Sequence, residues 1–243
     1  MARIFSKLFK KKSKPKTVRG KIWRWMKRLA IFFFASTLFF SVLYTWVNPP
    51  FTPLMIIRSV QQMFSGDEVR LKKDWVSIED ISPYMIQAVI TSEDQNFTSH
   101  NGFDFKAIQK VYKMNQDGKG NMRGGSTISQ QTAKNVFVEP SRTWIRKGLE
   151  TYFTFLTELF WSKKRIMEVY LNVVELGNGI YGVEAASQFY YHKSCRKLSK
   201  YEAASLAALL PAPRHWNPLK PTPKLKRHIN WIVGHMSGFS AKL

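Results

Sequence analysis

The chain has 243 residues and a formal net charge of +22, with 38 Lys and Arg against 16 Asp and Glu. That length suits one domain of ordinary size with an appendage. The single cysteine, Cys195, excludes a disulfide within the chain, and the basic balance calls for an anionic partner such as phosphate, nucleic acid or an acidic membrane surface.

The charge is unevenly spread. Residues 1–28 hold twelve Lys or Arg and no acid, which leaves about +10 on the remainder. Nineteen uncharged residues follow, Leu29 to Val47. As a helix they span roughly 28 Å, about the hydrocarbon thickness of a bilayer. Trp23, Trp25, Tyr44 and Trp46 flank the run as interfacial aromatics do, and Asn48-Pro49-Pro50 is expected to end it. The run is long for a secretory signal and no A-x-A site follows, so residues 29–47 are expected to be an uncleaved single-pass anchor. The Lys/Arg excess places residues 1–28 in the cytoplasm and the body on the outer, periplasmic face of the cytoplasmic (inner) membrane. Residues 48–74 read as a juxtamembrane linker, and 75–243 as the exported domain.

Within that domain Tyr84–Ile90 is apolar enough for a short buried helix leading into Glu93. Asp104–Met114 has helical spacing, and Gln116–Asn121 reads as a loop. Ser126–Val136 is expected to be a helix behind the Gly124-Gly125 turn. Thr143–Asn172 reads as long helical material, broken after it by Gly177–Gly182. Further helices are expected at Val183–Tyr190, Tyr201–Leu210 and Leu225–Met236. Strand signals are few, so the fold class is mainly α, with one N-terminal transmembrane helix ahead of a single domain.

Two polar segments stand out. Glu93-Asp94-Gln95-Asn96-Phe97-Thr98-Ser99-His100-Asn101-Gly102 follows an apolar helix, so the Glu93 carboxyl is expected to be partly desolvated, which raises a carboxyl toward general-base use. Taken singly, Glu93 also suits a surface cap or ion pair, His100 a structural role, and Asp94 a turn hydrogen bond. In Gly124-Gly125-Ser126-Thr127-Ile128-Ser129-Gln130-Gln131-Thr132-Ala133-Lys134-Asn135, the glycines allow close backbone approach and Ser126 or Thr127 can cap a helix whose N-terminal amides favour anions. Gln130 and Gln131 offer hydrogen bonds to sugar groups, and Lys134 a positive charge. Further on, Arg142, Arg146 and Lys147 suit phosphate, with Glu150 as a second carboxylate; Arg146 and Glu150 at i, i+4 equally suit an exposed ion pair. Glu168 in the Lys163–Asn172 segment is open between structural and functional roles.

The order E-D-x-x-F-x-x-H-x-G, G-G-S-T-I-S-Q-Q-x-A-K-N, R-K-x-x-E, K-K-x-I-M-E-x-Y-L-N and then Gly182-Val183-Glu184-Ala185-Ala186 closely resembles the peptidoglycan glycosyltransferases of family 51. The five blocks lie in order over about residues 75–218. K-T-G, which a transpeptidase domain would require, does not occur in these residues, so the resemblance is to the monofunctional biosynthetic type.

The resemblance implies a lysozyme-like helical fold that polymerises lipid II, adding it to the growing glycan chain with inversion at the anomeric carbon. By matching positions, Glu93 is implied as the base on the acceptor 4-hydroxyl. Lys134 and Arg142 are implied to stabilise the departing diphosphate, and Glu150 to orient these cations or a divalent ion (Mg or Mn). Gln130, Gln131 and Asn135 are implied to hold sugar or phosphate, and Asp94, Phe97 and His100 to shape the loop around the base. Lys110, Lys113, Lys119 and Arg123 are expected to rest on membrane lipid. Penicillin-binding transpeptidases and cell-division proteins are implied partners; nucleic acid is not. Two rivals remain at this stage: a lysozyme-like lytic enzyme, which would have no diphosphate for the cationic cluster to stabilise, and a non-enzymatic basic scaffold on the membrane.

Overall fold

The computed structural model describes residues 17–66, 68–107, 109, 125–140, 143–241 and 243. The chain divides after Leu43 into two units. The first contains helix α1, Val18–Leu43, which is long and apolar enough to cross a membrane by length and composition. The Thr17 hydroxyl accepts from the Gly20 amide at 3.2 Å, so the helix starts inside the basic segment. It stops four residues short of the expected Val47. Beyond it, the carbonyls of Tyr44 and Val47 accept from the Arg165 guanidinium at 3.0 and 2.9 Å. Lys73 Nζ takes the carbonyls of Pro49 and Pro50 at 2.6 and 2.9 Å. Residues 44–50 thus spend their carbonyls on the domain that follows, and the second unit begins at Tyr44.

Residues 48–74, expected as a linker, fold with that domain. Helix α2, Pro53–Ser65, opens with the Thr52 hydroxyl accepting from the Met55 amide and with Pro53 in the first turn, and it closes on Gly66 in the left-handed region. Met55 is fully buried. Strand β1, Lys72–Lys73, joins a small sheet with β2, Glu175–Gly177, and β3, Ile180–Tyr181. The order is β1-β3-β2, with β3 parallel to β1 and antiparallel to β2. Gly179 turns the β2–β3 hairpin at φ +71°; a Cβ there would lie 2.1 Å from the Arg70 carbonyl oxygen, so no side chain fits.

The remainder is helical, as the hydrophobic spacing predicts. Helix α3 is Pro83–Glu93, α4 is Ile128–Phe137, α5 is Trp144–Phe160 and α6 is Lys163–Val173. Helices α7, Val183–Tyr191, α8, Lys200–Ala207, and α9, Pro223–His235, follow the sheet. The expected long helix over 143–172 is two helices, because Ser162 caps a new start: its hydroxyl accepts from the Arg165 amide at 3.2 Å while Trp161 is buried beside it. Helix α4 packs against both α5 and α6, and α3 packs against α8 and α9. The side chains of Met85, Phe97, Ile128, Tyr170, Tyr181 and Leu206 fill the interior. A smaller cluster, Ala133, Val138, Phe153 and Leu156, seals α4 to α5, with Phe137 stacked on Phe153 at 4.6 Å. Phe105–Ala107 is helical. Lys110, Lys113, Lys119, Arg123, Gly124 and Arg142 lie outside the described residues.

Candidate active site

Helix α3 ends on Glu93 because the next residue leaves helical geometry: Asp94 has φ −159° and ψ 81°. Asp94 then ties two segments together. Its carboxylate meets His100 Nε2 at 3.0 Å and accepts from the Ile128 amide, also at 3.0 Å. Ile128 is the first residue of α4, so a buried acid sits where the helix exposes unsatisfied N–H groups and positive dipole. This one residue therefore sets the end of the helix that carries Glu93 against the start of the Gln-Gln-Lys helix. Phe97 is fully buried, with Lys163 Nζ 4.7 Å above its ring, so it packs the loop from beneath.

The same helix start consumes two of the expected ligand groups. Thr127 and Gln130 form a capping box: Thr127 Oγ1 accepts from the Gln130 amide at 3.2 Å, and Gln130 Oε1 from the Thr127 amide at 3.0 Å. The Thr127 hydroxyl also donates to the Gly102 carbonyl at 2.6 Å. Both side chains are buried in this frame. Ser126, one residue earlier, is half-buried.

Gln131 faces the other way. Its Nε2 donates to Glu93 Oε2 at 2.9 Å, and its Oε1 accepts from the Tyr170 hydroxyl at 3.0 Å. Tyr170 is fully buried on α6; an ionised Glu93 can only accept, so it takes the amide nitrogen and leaves the amide oxygen to the Tyr170 hydroxyl. Ser92 Oγ donates to the other carboxylate oxygen at 3.3 Å. Burial pushes the Glu93 carboxyl up from its ordinary value; the Gln131 and Ser92 hydrogen bonds and the Lys134 charge pull it back, while Asp94 pushes the same way as burial.

Lys134 lies one turn beyond Gln130 on α4. Burial pushes its ammonium down, the acids Glu150 and Glu93 draw it up, and Arg146 and Lys147 oppose them. Glu150 is buried on α5, accepting from Arg146 at 2.9 Å and from Lys147. The two carboxylates thus stand apart, Glu93 bound to an amide and Glu150 to two cations. Among the described residues no three His, Cys, Asp or Glu side chains converge. That donor set does not fit a metal held by protein alone, and no step below runs through one.

Gln131, Lys134, Asn135 and Arg146 open onto a cavity of about 300 Å³. Arg58, Glu175, Leu54, Val138, Leu210 and Pro213 complete most of its wall. A larger groove, about 440 Å³, lined by Ile78, Pro83, Ile86, Lys164, Arg196 and Leu243, holds none of the expected site residues. The structure therefore gathers Glu93, Gln131, Lys134, Asn135, Arg146, Lys147 and Glu150 around one place.

This placement accounts for the motif order, and the match extends over most of the chain: residues 59–237 match the family described as Transglycosylase. The chain belongs to the transglycosylase family. It is 51% identical over 217 residues to a "Biosynthetic peptidoglycan transglycosylase" of Bacteroides thetaiotaomicron, covering 89% of this chain and 87% of the relative. A protein of the same description from Bdellovibrio bacteriovorus is 50% identical over 211 residues, 87% of this chain and 81% of its own. One from Haemophilus influenzae is 44% identical over 225 residues, 91% of each.

Within this transglycosylase chain, sequence reasoning missed Tyr170, Arg58 and Glu175. Tyr170 lay inside a recognised block, but nothing local says that it buttresses Gln131. Arg58 was placed in a linker, although Thr52-Pro53 and Gly66 are start and stop signals for a helix around it. Glu175 is a lone acid in the apolar run Val173-Val174-Glu175-Leu176, which is itself a signal, since a buried acid needs a partner. Glu168, left open by the sequence, is structural: it accepts from the Ile78 amide at 3.3 Å and from Arg165 at 2.5 Å. Cys195 is buried, and burial pushes its thiol up, away from reactivity.

Proposed function

We propose that this chain, a peptidoglycan glycosyltransferase by family, joins lipid II to a growing β-1,4 glycan strand with Glu93 as the general base and undecaprenyl diphosphate as the leaving group. The observation that carries the reading is the pairing of Glu93 with Gln131 beside the desolvated Lys134. A carboxyl whose proton affinity is raised by burial accepts the proton of the acceptor 4-hydroxyl more readily than an exposed one. The hydroxyl oxygen forms the new bond to the anomeric carbon as the bond to the diphosphate breaks on the opposite face. The electron pair leaves with the diphosphate, where Lys134 and Arg146 supply positive charge in a partly water-excluded wall. Glu150 holds Arg146 and Lys147 in place. A lytic enzyme acting on uncharged glycosidic bonds would have no use for that cationic wall.

Helix α1 supports a membrane location suited to a substrate with a polyprenyl tail, with the basic segment inside and the domain on the outer face. Confinement of enzyme and substrate to one plane raises their effective concentration. Glycan polymerisation itself makes no peptide crosslinks, so penicillin-binding transpeptidases are the partners this reading implies. Purified full-length protein is incubated with labelled lipid II, beside the Glu93→Gln variant. Lysozyme-digestible polymer from the parent protein alone is the expected result. Full activity in the variant would remove Glu93 from its role, and cleavage of preformed glycan without polymer would move the chain to the lytic class.

A further inference from the structure

The cavity beside Gln131 also holds polar groups that the reaction described above does not use. Glu175 on β2 and Arg58 on α2 face each other there, Oε2 to Nε at 3.8 Å, an ion pair too long to be a hydrogen bond. The Glu175 side chain keeps only 8% of its exposure. Its other oxygen, Oε1, has no hydrogen-bond partner, and neither does Arg58 Nε. Arg146 Nε, on the same wall, is also unpartnered. Arg58 Nη1 donates to Gln61 at 2.8 Å. A buried polar atom without a partner lowers stability by about 1–3 kcal/mol, so three on one wall are out of place in a surface whose only task is packing.

The polar groups lining the cavity are of two kinds. Lys134 and Arg146 offer only donors and positive charge, which suits an acceptor-only anion. Glu175 Oε1 is an acceptor, and a diphosphate oxygen placed against it would be repelled. The group it takes must donate a hydrogen, and the group beside Arg58 Nε must accept one. Asn135, on the same wall, does both. A sugar ring with hydroxyls and an N-acetyl amide has that mixture of donors and acceptors, and a diphosphate does not. The strand that carries Glu175 is pinned: Glu175 pairs with Tyr181 across β2 and β3, and the hairpin is fixed at Gly179. The pair is therefore held on a rigid element, as a recognition site requires.

We propose that Arg58 and Glu175 form a sugar-recognition pair that binds the N-acetylated sugar of the substrate next to the diphosphate held by Lys134 and Arg146. The assignment rests on the function proposed above for its substrate, but its test does not depend on turnover. Binding of lipid II and of undecaprenyl diphosphate, which has the same anion and tail but no sugar, is measured for the full-length protein in detergent. The parent is compared with Glu175→Ala, Glu175→Gln and Arg58→Met. Loss of a hydrogen bond to a charged group is expected to weaken lipid II binding about tenfold or more in Glu175→Ala and Arg58→Met. Undecaprenyl diphosphate binding stays within about twofold. Glu175→Gln, which keeps an acceptor oxygen and the same shape, retains more of the lipid II affinity than Glu175→Ala. With turnover, the loss falls on KM and leaves kcat nearly unchanged.

Equal weakening toward both lipids, or toward neither, overturns the proposal: the pair would then serve the diphosphate or the fold alone. Glu175→Gln and Arg58→Met keep most of the side-chain volume, so the comparison stands even if Glu175→Ala does not fold. A parent protein that binds lipid II yet makes no polymer would sink the proposed function and leave this comparison to decide the sugar site by itself.

Discussion

Replacing Gln131 by Leu separates the catalytic and structural uses of one side chain. Two hydrogen bonds are lost together: the one to Glu93 at 2.9 Å and the one from Tyr170 at 3.0 Å. The first is a bond to a charged acceptor, worth about 1.5–3 kcal/mol, and it favours the ionised carboxylate. Without it the Glu93 carboxyl holds its proton more tightly, so the rise of kcat/KM with pH moves to higher pH. The second loss strands the fully buried Tyr170 hydroxyl, at about 1–3 kcal/mol of stability. Adding Tyr170→Phe removes the stranded group. Replacing both partners by apolar groups is nearly neutral, so the double variant recovers most of the lost stability while its pH profile stays displaced. Denaturant midpoints report the stability, and initial rates on labelled lipid II across pH report the base. A Gln131→Leu profile that coincides with that of the parent would refute the role given to this amide.

Glu93→Gln is expected to raise the melting temperature at neutral pH as well as abolish polymerisation. The Glu93 carboxyl is raised in the folded state above its ordinary value, so its ionisation opposes folding once the pH exceeds the unfolded value; the gain is largest above the folded value and shrinks as the pH falls through it. Calorimetry at several pH values checks the sign, and a gain that grows on acidification would contradict it. Gly102→Ala puts a Cβ 2.9 Å from both Thr154 Cγ2 and Glu158 Cγ at φ +85°, and is expected to lose about 1–3 kcal/mol in chemical denaturation. Arg165→Ala removes the donors that hold Tyr44, Val47 and Asn48, and limited proteolysis should then cut faster within residues 44–50. Deletion of residues 1–43 is expected to reduce activity on lipid II in vesicles more than on short-chain soluble analogues; equal losses on both would argue against a tethering role for α1.

The helical character of this chain was legible because its signals are local. Ser, Thr and Pro at the starts of α3, α4, α8 and α9, and apolar spacing along each, are written within a few residues of where they act. The hydropathy of α1 and the excess of charge before it are local too. Local signals also mislead at boundaries. The uncharged run suggested a helix ending at Val47, yet the helix ends at Leu43 and the carbonyls of Tyr44 and Val47 are taken by Arg165, about 120 residues away. The motif order located Glu93, Gln131, Lys134 and Glu150, but it treated Gln130 and Gln131 alike. Helical periodicity separates them: Gln130 reaches back to its own N-terminus as a cap, while Gln131, one residue on, points at Glu93.

What the sequence determined by itself is the long apolar helix near the N-terminus, the helical class and the residues from which a base and a cationic wall can be made. What only the tertiary structure decided is which of them meet. Asp94 joins the loop, His100 and the start of α4, Gln131 bridges Glu93 and Tyr170, and β2 carries Glu175 to Arg58 from more than a hundred residues away. Apart from the Asp94–His100 contact, each is a hydrogen bond or ion pair between segments distant in the chain. Such contacts depend on how helices pack and where strands register, and no short stretch of sequence encodes them.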